Sequence, residues 1–116
     1  MTPPRIHERE SAFQAWVVDL AHYCGWTVAH FGAAPTHNNR GSGYATPAKY
    51  EGAGWPDLTL ARPGEVIFAE LKSDRGVLSD KQKVWIDLLS SAGLEVYVWR
   101  PACRPEIEAR LKRVYT

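Results

Sequence analysis

The stretch "PDLTLARPGEVIFAELKSD", residues 56–74, decides the fold. Two β-rich runs, Pro56–Arg62 and Glu65–Lys72, flank the turn pair Pro63-Gly64, and together they read as a hairpin. In an antiparallel pair the far ends of the two arms are neighbours. Asp57 opens one arm and Glu70 and Lys72 close the other, so residues thirteen or more apart in sequence are expected to meet at one end of a sheet. Side chains alternate faces along a strand, which puts Phe68, Glu70 and Lys72 on one face and Ile67, Ala69 and Leu71 on the other. The strand begins with Val66, Ile67, Phe68 and Ala69 and ends in charge. Burying such charges is unfavourable unless they are paired or hold a metal.

The chain around this hairpin has 116 residues, which suggests a single domain over residues 1–116. An apolar fraction of 45% suits a globular core and excludes a disordered chain. Lys plus Arg is 14 and Asp plus Glu is 13, a net charge of +1, so no global field attracts a polyanion. Nucleic-acid binding would need a local basic patch, or a dimer that pools two. Cys24 and Cys103 have neither metal-ligand spacing nor a disulfide framework and read as reduced thiols. The start "MTPPRIHERE" has no apolar run for a signal peptide, and no segment approaches the ~20 apolar residues of a membrane span. A cytoplasmic protein with no membrane contact is the expectation.

Before the hairpin, Phe13, Trp16, Val17, Leu20, Ala21 and Cys24 recur at helical spacing, predicting an amphipathic helix from Arg5 to Tyr23 stopped by Gly25. Glu10 heads that stripe and is expected near the edge of the core. "WTVAHF", Trp26–Phe31, reads as a strand. From Gly32 to Gly54 no period is visible, and the segment exceeds the ~12–15 residues beyond which loops are usually functional or disordered. After the hairpin, Ser79 and Gln82 form a capping box, Trp85, Leu88, Leu89 and Ala92 make a buried stripe, and Gly93 ends the helix. "LEVYVWR", Leu94–Arg100, is a strand with apolar residues on both faces, which suits a central strand or a dimer interface. A last helix begins near Pro105, with Ile107, Leu111 and Val114 apolar. The order is α-β-β-β-α-β followed by this helix: an α/β fold with a mixed central sheet flanked by helices.

Carboxylates converging at a sheet end suit a hard cation. Magnesium takes one or two carboxylates, keeps waters and accepts substrate phosphate oxygens. Asp57, Glu70 and the backbone carbonyl of Leu71 could supply such a set, with Glu10 closing the cluster directly or through water. Lys72 would then orient or deprotonate the attacking water, or stabilise charge on the phosphate. The plainer alternative is an exposed Glu70–Lys72 surface pair with no chemistry. Gln82 is either a capping partner or a group that positions the water or the lysine. Arg75, Lys81 and Lys83 follow the strand as candidate phosphate contacts, with Arg40 and Lys49 in the irregular segment and His30 at the end of the first strand. Each is equally an ordinary surface or structural residue.

"ESAFQ", "GWPDLTL", "FAELKSDRGVLSDKQKVWIDLL" and "GLEVYVWRP" together resemble the virus-type replication-repair nuclease family, VRR-NUC, a branch of the PD-(D/E)xK nucleases with a restriction-endonuclease-like fold. The resemblance runs along nearly the whole chain. It implies metal ligation by Asp57 and Glu70, a catalytic Lys72, a site glutamine at Gln82, and Mg²⁺ or Mn²⁺ as the ion, with no organic cofactor. It further implies a DNA endonuclease of DNA repair and recombination. Stand-alone members of this size resemble phage and bacterial enzymes, are similar to Holliday-junction resolvases and are expected to form homodimers. Structure-selective cutting of branched or Holliday-junction-like DNA is the expectation. The other readings are a catalytically inactive nucleic-acid-binding module of the same fold and an interaction subunit of a larger nuclease.

Overall fold

The computed structural model describes residues 10–31 and 50–113, and between them the backbone of two strands. Helix α1 (Glu10–Tyr23) leads into β1 (Thr27–His30), β2 (Ala34–Asn38) and β3 (Gly41–Ala45). The predicted hairpin follows as β4 (Leu58–Arg62) and β5 (Glu65–Leu71), then α2 (Asp80–Ser91) and β6 (Glu95–Trp99). A 3₁₀ turn at Pro101–Cys103 opens α3 (Arg104–Lys112). The expected extensions of the first helix back to Arg5 and of the last to Val114 lie outside the described residues.

Four strands form one sheet in the order β1-β4-β5-β6. β1 pairs β4 and β4 pairs β5 antiparallel, while β5 pairs β6 parallel, as an intervening helix requires. β5 is thus interior, which explains its continuous apolar run. β6 is an edge strand, which removes the central-strand option for it. Its two apolar faces arise because Tyr97 and Trp99 pack toward the main core while Val96 and Val98 lie on the α2 side. The segment from Gly32 to Gly54 is not wholly irregular: β2 and β3 pair antiparallel in a separate two-stranded sheet, with Asn38 opposite Gly41. Such short strands of small and polar residues carry no period-two apolar signal, because ladder hydrogen bonds need none.

The two faces of the main sheet differ. Ile67, Ala69, Leu71, Leu58, Leu60 and Trp99 pack against Phe13, Val17 and Ala21 of α1 and Ile107 and Leu111 of α3 in one buried cluster. Each such aliphatic side chain contributes about 1.5–3 kcal/mol by burial. Gly25, with φ +87°, ends α1, and the backbone turns at once into β1 with Trp26 buried. Among the described residues the opposite face is covered by α2 and by Trp55 of the preceding loop. Phe68 is buried there beneath Trp55 and Trp85, whose rings meet edge to face at 4.9 Å. At the carboxyl end of this face Asp57 and Lys72 stay partly exposed, while Glu70 between them is buried.

At the other end of β5 the charges are matched. Arg110, 5% exposed, bonds Glu65 at 3.0 Å and Glu95 at 2.8 Å, and Arg62 pairs with Glu65. Arg62 also stacks over Trp26 at 4.2 Å and donates to the carbonyls of Cys24 and Leu111. Trp26 Nε1 donates to the Leu111 carbonyl at 3.0 Å, which ties α3 to the strands.

Candidate active site

The hairpin register sets the site. Leu58 is paired with Ala69, so Asp57 stands opposite Glu70 one step further out. The Phe31 N–H donates to the Asp57 carbonyl at 2.7 Å, extending the β1–β4 ladder by one residue. Glu70 is paired with Val98 across the parallel ladder. Side chains directly opposite in a ladder share a face, so Phe31, Asp57, Glu70 and Val98 make one row across the open face. Phe31 is half-exposed in that row. It was not singled out in the sequence, where it reads as the last residue of a strand.

Asp57 Oδ2 accepts the Leu71 N–H at 2.8 Å, which fixes the carboxylate against the end of β5. Glu70 is 2% exposed. Its Oε1 accepts a hydrogen bond from Gln82 Nε2 at 2.9 Å, and its Oε2 is buried with no hydrogen-bond partner. Burial, reinforced by the neighbouring Asp57 carboxylate, pushes the Glu70 carboxyl up to about 8, with Lys72 pulling weakly the other way. Lys72 extends from the same face, its N–H anchored on the Trp99 carbonyl at 3.0 Å and its methylenes lying against Gly76. This is no surface Glu–Lys pair: no Glu70–Lys72 salt bridge forms, and Glu70 is buried beside a second acid.

Gln82 keeps its expected capping role and also bonds Glu70, a partner the sequence did not indicate. Its Oε1 accepts the Ser79 N–H at 2.8 Å and its own N–H donates to Ser79 Oγ at 3.1 Å, completing the capping box. The amide nitrogen of the same side chain remains free to reach Glu70. Trp85, expected in the core, is only partly buried: its indole N–H donates to the Glu51 carbonyl at 2.8 Å.

Other expected residues fall elsewhere. Glu10 is exposed at the start of α1 and does not join the pair. Among the described residues no three His, Cys, Asp or Glu side chains come together as a metal site. The apolar stripe begins one turn later at Phe13, and an unpaired carboxylate keeps its hydration at the helix end. His30 is paired with Leu58, which puts it on the core-side face of the edge strand, opposite that of the carboxylates. The period of two makes any neighbour of Phe31 point the other way. Arg75, Lys81 and Lys83 are exposed around the start of α2. Arg40 and Lys49 lie outside the described residues.

The donor set suits a small hard cation. Two adjacent acids, one with an orphaned buried oxygen and a raised pKa, meet with Lys72 as a weak cationic counterweight, so a bound cation would favour the ionised form of Glu70. A two-carboxylate site leaves coordination positions for water and substrate, the pattern of Mg²⁺ and not of a closed protein cage.

A family model described as the VRR-NUC domain matches residues 35–102, more than half of the chain. The chain belongs to the VRR-NUC family. The match takes in Asp57, Glu70, Lys72 and Gln82 and leaves out α1 and α3. The restriction-endonuclease-like α/β fold of VRR-NUC nucleases agrees with the mixed four-stranded sheet and its flanking helices. A Fanconi-associated nuclease 1 homolog from Schizosaccharomyces pombe (strain 972 / ATCC 24843) is 44% identical over 52 residues. Those residues are 43% of this chain and 7% of that protein, so the similarity concerns one small part of a much longer relative. No solved structure gives a significant match.

Proposed function

We propose that this VRR-NUC domain is a divalent-metal-dependent DNA endonuclease that hydrolyses phosphodiester bonds, with branched DNA as its preferred substrate. One observation carries the reading: Asp57 and the buried, partly unpartnered Glu70 share the open end of a central strand that also presents Lys72. The family match and the relative named as a nuclease support the reaction class.

Asp57, Glu70 and the Leu71 carbonyl would hold Mg²⁺ or Mn²⁺. When bound, the ion would withdraw charge from the scissile phosphate and lower the pKa of an adjacent water. Asp57 is preset for this by the Leu71 N–H, so its carboxylate needs no reorganisation. Gln82 holds one Glu70 oxygen and leaves the other facing the pair. Lys72 brings positive charge to the phosphate and offsets what develops there in in-line attack. Arg75, Lys81 and Lys83 would track the backbone of the duplex beside the start of α2. A homodimer would present two such sites, matching the two-fold symmetry of a four-way junction.

The test is a cleavage panel of junction, flap, nicked and plain duplex DNA with Mg²⁺ or Mn²⁺, run alongside a mass measurement in solution. Wild type cuts, and Lys72→Ala and Glu70→Ala do not. Equal cutting by wild type and both variants sinks the assignment, and binding that survives chelator without cleavage under any metal favours a binding module instead.

A further inference from the structure

Gly54 lies outside the candidate chemistry, yet it makes the tightest backbone approach among the glycines described. Its φ is +90°, and a Cβ built there would stand 2.5 Å from the Lys81 carbonyl carbon, 2.6 Å from its oxygen and 2.8 Å from the Gln82 nitrogen. All three are backbone atoms of one peptide in the first turn of α2, so no flexible side chain can give way. Two further contacts fasten the same segment to the same helix, and a third ties it to the sheet. The Glu51 carbonyl accepts the Trp85 indole N–H at 2.8 Å. Trp55 meets Trp85 at 4.9 Å and Phe68 at 5.6 Å, bridging α2 and β5. The clasped peptide belongs to Gln82, whose side chain bonds Glu70.

We propose that Gly54 is a positioning residue: by letting residues 51–55 close on the Lys81–Gln82 peptide, it sets the height of α2 over the sheet and holds the Gln82 carboxamide on Glu70. This rests on the nuclease reading only for its kinetic arm. Three other glycines with positive φ, Gly25, Gly64 and Gly93, would place a Cβ in open space. Gly64→Ala therefore imposes a similar left-handed backbone strain without a collision, and separates positioning from lost stability.

The experiment compares Gly54→Ala with Gly64→Ala in the full chain. The first readout is the Gln82 side-chain amide resonance in ¹⁵N-labelled protein without metal. It is expected to move toward the solvent-exposed value in Gly54→Ala and to stay in place in Gly64→Ala. The second is cleavage: Gly54→Ala lowers kcat by about a hundredfold, the size associated with a displacement of about 1 Å, and leaves KM for DNA within about twofold. In a Gln82→Ala background the Gly54→Ala effect on kcat is lost, because both act on one contact. Where Gly54→Ala does not fold, Trp85→Phe removes the bond to the Glu51 carbonyl and trims the ring packed against Trp55, loosening the same segment, and gives the same pattern at a several-fold drop. An unmoved amide, or an undiminished kcat loss in the Gln82→Ala background, overturns the proposal. Wild type that cuts no DNA under any divalent metal sinks the nuclease reading, and the amide comparison then decides the positioning role by itself.

Discussion

Strand β5 carries a glutamate near each end, and the two are treated in opposite ways. Glu65 bonds both Arg62 and Arg110, and the Arg62 hydrogen bond above all holds its carboxyl below the usual range. Glu95 is lowered chiefly by its bond to Arg110. Burial works against the charge of Arg110, but the carboxylates of Glu95 and Glu65 outweigh it and its pKa rises. Glu70, five residues further along, has a glutamine, a second acid and an orphaned oxygen for company, and its carboxyl is raised. One end is an internally neutralised clamp joining β5, β6 and α3. The other is a charge deficit kept open at a sheet end. The lesson is that burial of charge marks chemistry only where the partners are missing.

The largest effect that can break this contrast is on cleavage. Asp57→Asn and Glu70→Gln are each expected to lower kcat by at least about a thousandfold, while Glu65→Gln leaves kcat within about threefold. Comparable losses at Glu65 and Glu70 in single-turnover assays would erase the distinction. Next in size is stability. Arg110→Ala should cost roughly 3 kcal/mol, at the low end for a broken buried pair because Glu95 is half-exposed, and the same protein should cut normally well below its melting point. Urea unfolding measures the first and the cleavage assay the second. A variant that unfolds as easily as before would make the clamp ornamental.

The smallest effect is a slope. The folded state holds the Glu70 proton up to about pH 8, whereas the unfolded chain releases it near 4.5. The stabilisation is therefore complete below 4.5 and lost as pH rises toward and through 8. Melting temperatures in chelator should fall across this window for wild type and less for Glu70→Gln, and added Mg²⁺ or Mn²⁺ should restore wild type at the alkaline end. Superimposed profiles for the two proteins would show that Glu70 does not titrate as its surroundings dictate.

The hairpin, its register and the meeting of Asp57 with Glu70 were legible in the chain, because a Pro-Gly turn between two β-rich runs admits few pairings. So were the capping box at Ser79 and Gln82 and the interior position of β5. These features rest on local rules: turn chemistry, a period of two, a period of 3.6. The β2–β3 hairpin was not legible, since backbone pairing without apolar alternation leaves no periodic trace. The exposure of Glu10 was not legible for a related reason. Helical phase gives the direction of a side chain, not whether another layer extends far enough to meet it.

What the sequence by itself determined is thus the sheet end and its two carboxylates, since sequence-local geometry brings them together. Tertiary structure alone decided the rest. It left Glu70 Oε2 without a partner, gave Gln82 to a carboxylate as well as to its own helix, and paired Arg110 with acids from two strands. It also set Gly54 against the backbone of α2. Each of these depends on how far apart two layers sit, and that distance follows from the volumes of side chains packed between them, Trp55, Phe68 and Trp85 among them, rather than from any residue's neighbours in the chain.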